Sequence, residues 1–176
     1  MRAFGPGSVS SLLKTVLDVV FVALCAIVGA LGLMALLALI LSVSDPQLFD
    51  RAWREIYKTE AAPSGVAAAG LIFAYGLSFA GVLVIVRALR QIFTTLTAGD
   101  PFHPANVDRL RLIGVMLALL EVGRYLVWAV TTQMPFVKEF KASLNLTAWF
   151  SVLVVFVLAE VFREGARLRR EAELTI

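Results

Sequence analysis

Residues 19–43 read VVFVALCAIVGALGLMALLALILSV, 25 positions without a charge. About 20 apolar residues in a helix span the hydrocarbon core of a bilayer. The run is therefore long enough to cross a membrane, and too long for the 7–15-residue apolar segment of a cleaved signal peptide. Two more charge-free runs follow, 22 residues at Gly65–Val86 and 18 at Ala142–Ala159. A fourth stretch, 112–134, is apolar except for Glu121 and Arg124. With 60% apolar residues and a mean hydropathy of +0.86, the chain leaves no room for a separate soluble domain. The expected fold is all-α: a single-domain integral membrane bundle of four transmembrane helices over about 16–43, 65–87, 111–133 and 144–162.

Charge distribution predicts orientation. With the N-terminus inside, the segments Met1–Asp18, Arg87–Arg111 and Arg163–Ile176 carry ten Lys and Arg residues, against five in the outside loops. Positive charge prefers the cytoplasm, so both termini are expected there. Cys25 is the lone cysteine, which excludes an intrachain disulfide and reads as a small packing residue.

The first outside loop is not plain coil. Its Ser-Asp-Pro offers an N-cap and a proline at the first helical position. Phe49, Trp53, Ile56 and Tyr57 then share one face, opposite Asp50, Arg51, Arg54 and Glu55. That pattern predicts a short amphipathic helix at the membrane surface. The second outside loop, QMPFVKEFKASLN, is again amphipathic, with Asn145 as a cap for the fourth span.

On the inside, the helical period continues past Val86 through Leu89, Ile92, Phe93 and Leu96. Gly99 suits a helix C-terminus. Asp100 and His103 each precede a proline and are pushed toward extended backbone. Pro104 starts the next helix, with His103 near its cap. The stretch TAGDPFHPANVDRL (97–110) is thus the tip of a cytoplasmic helical hairpin, and Phe102 is expected as a plug between its arms. The tail continues the last helix, its Glu160, Arg163, Glu164, Arg167 and Glu171 at three- and four-residue spacings that favour an exposed helix.

Chemistry is sparse. Glu121 and Arg124 are three apart in the third span, with Tyr125 and Trp128 close along the same helix. A charge at mid-bilayer costs on the order of 2.5–3.5 kcal/mol, so such residues face a bundle interior and pair. They read either as a buried pair fixing helix register or as a polar site for an anionic or zwitterionic ligand. Gly70, Ala74 and Ser78 form a small-residue stripe suited to close helix packing, within the chain or in a homo-oligomer. One histidine and one cysteine cannot build an ordinary zinc or bis-histidine haem site in one chain. No nucleophile elbow or phosphate-binding glycine loop is present, so no enzyme, metal or cofactor is expected. Glu164, Glu171 and Glu173 interrupt the arginines of the tail, which argues for contact with anionic lipid rather than nucleic acid.

Two segments resemble a known family. One holds Leu89, Phe93, Gly99, Asp100, Pro101, Phe102, Asn106 and Leu110. The other holds Ala159-Glu160-Val161-Phe162-Arg163, Gly165, Leu168, Glu171 and the closing Glu173-Leu174-Thr175-Ile176. Together they resemble the bacterial membrane domain-of-unknown-function family 2975, over most of the chain from the first span onward. The resemblance implies a four-span protein of the bacterial inner membrane. It also implies genes that often neighbour one for a small helix-turn-helix regulator, and no established activity.

Three readings follow. The first is a non-enzymatic membrane regulator docking a cytoplasmic partner, such as a helix-turn-helix regulator. Its surface would hold Asp100, Phe102, His103, Asn106, Arg163 and Arg167. The second is a small transporter, channel or lipid- or ligand-binding bundle using Glu121 and Arg124. The third is an immunity or stress-protection protein acting through contacts within the membrane.

Overall fold

The computed structural model describes residues 9–58, 62–132 and 144–174. Among them the chain is all-α, with five helices: α1 Val9–Ser44, α2 Pro46–Tyr57, α3 Gly65–Thr97, α4 Pro104–Thr131 and α5 Leu146–Leu174. α1, α3, α4 and α5 are each long and apolar enough to cross a membrane. The protein is a multi-pass membrane protein of four spans. At 28 to 36 residues, these helices exceed the roughly 20 residues a bilayer core needs. The excess in α3, α4 and α5 carries the polar residues of the hairpin and tail.

The caps follow local chemistry. Asp45 accepts a hydrogen bond from the Leu48 N–H at 3.0 Å, and Pro46 opens α2. Ser64 Oγ accepts from Ala67 N–H at the start of α3. Asn145 Oδ1 accepts from Ala148 N–H at 3.2 Å at the start of α5. Each satisfies one of the backbone donors that a helix start leaves without an intrahelical acceptor. α1 is helical from Val9, the first described residue. Most of QMPFVKEFKASLN lies outside the described residues.

The chain divides into two compact units. The first comprises residues 1–24, 81–121 and 145–176. Its core is Ala88, Ile92 and Ile113, with Leu89, Leu96, Leu110 and Val155 packed against it. Gly114 lets α4 and α5 close up. A Cβ there would stand 3.0 Å from the Phe156 ring. Asp18 of α1 binds Arg90 of α3 at 2.6 Å, and the same guanidinium lies over the Phe21 ring.

The second unit comprises residues 25–80 and 122–144. Here α2 lays out the predicted aromatic row: Phe49 is buried, and the Phe49–Trp53 and Trp53–Tyr57 centroids are 5.9 and 4.3 Å apart. The buried face of the first turns of α3 holds Ala68, Ala69 and Gly76. Gly70 is exposed, Ala74 is half-buried, and Ser78 Oγ donates to the Ala74 carbonyl. Gly70 and Ala74 line an open apolar groove of about 390 Å³ with Leu126, Val127 and Val130 of α4. Cys25 is exposed along α1.

Candidate functional site: the hairpin and tail

The hairpin tip is built by a C-terminal motif of α3. Gly99 has φ +80°, a left-handed conformation that costs glycine little. Its N–H donates to the Leu96 carbonyl at 3.1 Å, and Asp100 N–H donates to the Thr95 carbonyl at 3.0 Å. This pair of bonds is a Schellman motif, which satisfies carbonyls at the helix end. The chain then turns through Pro101 and Phe102 into α4. There His103 Nδ1 accepts from Ala105 N–H at 3.2 Å, in the capping position its sequence suggests.

Asn106 is the centre of the tip, and it is fully buried. Its Nδ2 donates to Thr95 Oγ1 at 2.8 Å and to the Pro101 carbonyl at 3.1 Å. Its Oδ1 accepts from Arg109 at 2.8 Å. Arg109 also donates to the Gln91 carbonyl at 3.1 Å. One amide thus ties the end of α3, the turn and the start of α4. Its place on a docking surface is therefore corrected: with no accessible atom, Asn106 cannot touch a partner, and it holds the hairpin together instead.

Phe102 is corrected too. Its ring does not fill the space between the hairpin arms. It packs against Phe162 of α5, at 5.6 Å between centroids. Gly165 makes room: a Cβ there would lie 2.6 Å from two ring carbons. The ring remains 38% exposed.

Charges join the same elements. Asp100 pairs with Arg169 of the tail. Arg111 of α4 binds Glu160 of α5 at 3.1 Å, and Arg163 binds the other oxygen of Glu160 at 2.6 Å. Arg167 pairs with Glu164 at 2.6 Å and with Glu171 at 3.5 Å. His103 bonds within its own turn and Arg167 within α5, whereas Asp100, Phe102 and Arg163 join tip and tail in one assembly, with Asn106 beneath it. Thr95, Arg109, Arg111 and Arg169 complete it and are not evident from the motifs. Arg109 does stand three residues after Asn106, a spacing that puts both on one helical face.

Glu121, Arg124, Tyr125 and Trp128 all lie on α4. Glu121 is buried and closes the first unit. Arg124 belongs to the second, its guanidinium 4.8 Å from the centroid of the Tyr125 ring. Trp128 is half-buried, and its carbonyl accepts from the buried Thr131 hydroxyl at 3.0 Å.

Residues 52–176 match the model of a family described as a protein of unknown function, DUF2975. The chain belongs to this family. The match starts within α2, so α1 lies outside it, a narrower extent than the sequence resemblance implies. It includes the hairpin, the tail and α3 to α5. No curated protein and no solved structure matches the chain.

Proposed function

We propose that this DUF2975 member is a non-enzymatic regulatory protein of the bacterial inner membrane. Both termini are cytoplasmic, and the hairpin tip with the α5 tail docks a cytoplasmic partner. The orientation rests on the twofold excess of Lys and Arg in the segments assigned inside. The docking surface rests on one observation: tip and tail, far apart in sequence, are joined by the Asp100–Arg169 pair and the Phe102–Phe162 contact. A bare connection between two spans needs neither. His103, Arg163 and Arg167 stand exposed around the joint.

The partner that suits this reading is a small helix-turn-helix regulator, the type implied by the family resemblance. The test is purification in mild detergent from native cells, beside a variant lacking Arg167–Ile176 and a Phe102→Ala variant. The expected result is a small DNA-binding protein that co-purifies with the intact chain and is lost from both variants. The same set of bound proteins in all three samples overturns the reading.

A further inference from the structure

An open cleft of about 680 Å³ lies between the first turns of α4 and the last turns of α5, lined by charges of both signs. We propose that it seats the headgroup of an aminophospholipid, with the phosphodiester on Arg111 and Arg163 and the ammonium toward Asp108 and Glu164.

The position of the cleft points to lipid. Arg111 is the last charge on α4 before the apolar run that starts at Leu112. On α5, Glu160 is the first charge after the apolar run, and Arg163 follows one turn later. The Arg111 and Arg163 end of the cleft is therefore at the rim of the hydrocarbon layer, where long cationic side chains reach the headgroups.

The charge count points to a phosphate there. Arg111 and Arg163 share one carboxylate, that of Glu160, each using a different oxygen. The trio keeps one net positive charge. Each guanidinium has five donors in a planar fork that suits phosphate oxygens. A phosphodiester carries one negative charge, so it neutralises the trio without displacing Glu160.

A second feature selects the headgroup. Asp108 is exposed, and among the described residues no cation pairs with it. It stands three residues before Arg111 on α4, about 4.5 Å farther from the apolar run at 1.5 Å per residue. Glu164 lines the same cleft from α5, where one of its oxygens already binds Arg167 at 2.6 Å, so Asp108 is the carboxylate that meets the ammonium and Glu164 offers its second oxygen. Moving away from the hydrocarbon, the α4 wall presents Arg111 first and Asp108 next, and the α5 wall presents Arg163, then the Glu164–Arg167 pair, then Arg170 and Glu171. In an ethanolamine phospholipid the phosphate likewise comes first and the ammonium next. A purely anionic headgroup satisfies the arginines but meets Asp108 with like charge. A choline headgroup brings the charge but no N–H donors for the carboxylates. This inference does not depend on the partner-docking reading.

The test uses the full-length protein in detergent micelles, titrated with phosphatidylethanolamine, phosphatidylcholine and phosphatidylglycerol of identical acyl chains. Retained lipid is counted by native mass spectrometry. Phosphatidylethanolamine is expected to be retained about tenfold better than either other lipid, the range for hydrogen bonds to charged groups. The Arg111→Gln/Arg163→Gln variant should lose this retention, and Arg111→Lys/Arg163→Lys, which keeps the charge, should keep part of it. Asp108→Asn/Glu164→Gln should still bind phospholipid but no longer prefer ethanolamine over choline. Equal retention of all three lipids by the unaltered protein overturns the proposal, as does preferential retention of phosphatidylglycerol. So does a glutamine variant that stays folded by circular dichroism and binds as before.

Discussion

Asp100 and Arg169 form an ion pair across 69 positions of sequence, one in the hairpin turn and the other near the end of α5. The pair explains how a charged tail keeps a fixed place. Residues 160–174 carry all the charged residues of α5 and are largely exposed. A helical segment of that length is marginal in water when nothing holds it. Here it is held at Phe162 and Gly165 by the Phe102 ring, and at Arg169 by Asp100.

The energy of this pair should be small. Asp100 is 34% exposed and Arg169 47%, and ion pairs so accessible contribute about 0–1 kcal/mol. A double-mutant cycle with Asp100→Asn and Arg169→Gln, read as thermal midpoints in detergent, should show a small coupling. That coupling should shrink further in high salt, because exposed charges are screened. A large, salt-insensitive coupling would show that the pair is desolvated in the membrane-bound protein.

The aromatic contact should show a larger coupling. Replacing Gly165 with alanine raises helix propensity by about 1 kcal/mol. It also drives a Cβ to 2.6 Å from the Phe102 ring, which must then move. Gly165→Ala should therefore destabilise the wild-type chain or leave it unchanged. In a Phe102→Ala background the same change should stabilise it. Equal effects of Gly165→Ala in both backgrounds would mean that ring and glycine do not meet.

Asn106 gives the clearest stability prediction. Asn106→Leu removes a fully buried amide, so the Pro101 carbonyl loses that donor and an Arg109 N–H that acceptor, while the Thr95 hydroxyl keeps only its bond to the Ile92 carbonyl. Unsatisfied buried polar groups cost about 1–3 kcal/mol each to leave unmade. Asn106→Leu should lower the thermal midpoint more than any of the exposed tip substitutions, including His103→Ala. Hydrogen exchange should also quicken at the Asp100 and Ala105 amides, which this network surrounds. An unchanged midpoint would place the stability of the hairpin elsewhere.

Most of the fold is legible because its signals are local. Charge-free length marks the spans, Ser-Asp-Pro marks the start of α2, and Gly99 marks the end of α3. The capping partners of Asp45, Asn145 and His103 lie within three residues. The site was less legible because its contacts are long-range. Periodicity places Phe102 at a turn, but the choice between the hairpin interior and α5 depends on Gly165, 63 positions away. Asn106 looks like a polar residue in the first turn of a helix, which is usually exposed. Its burial follows from Thr95 and Arg109, whose side chains complete its hydrogen bonds. Likewise, Arg169 reads as one more basic residue until Asp100 comes within reach.

Orientation is the prediction on which the docking surface depends. Single cysteines in a Cys25→Ser background test it, because Cys25 is the chain's lone cysteine. His103 is exposed at the hairpin tip, and Asp50 is 47% exposed on the outer side of the expected topology. A membrane-impermeant maleimide applied to intact spheroplasts should label Asp50→Cys and spare His103→Cys. In inverted vesicles the pattern should reverse. The physical basis is the bias of positive charge: ten Lys and Arg residues accompany the hairpin side, against five on the α2 side. Moving charge should therefore move the labelling. Arg87→Gln, Arg90→Gln and Arg109→Gln combined with Gln47→Lys and Leu48→Lys leaves seven residues on the hairpin side and seven on the α2 side. Under that balance, both positions should label in part from each side. Labelling of His103→Cys from outside in the otherwise unaltered chain would turn the protein over and remove the hairpin and tail from the cytoplasm.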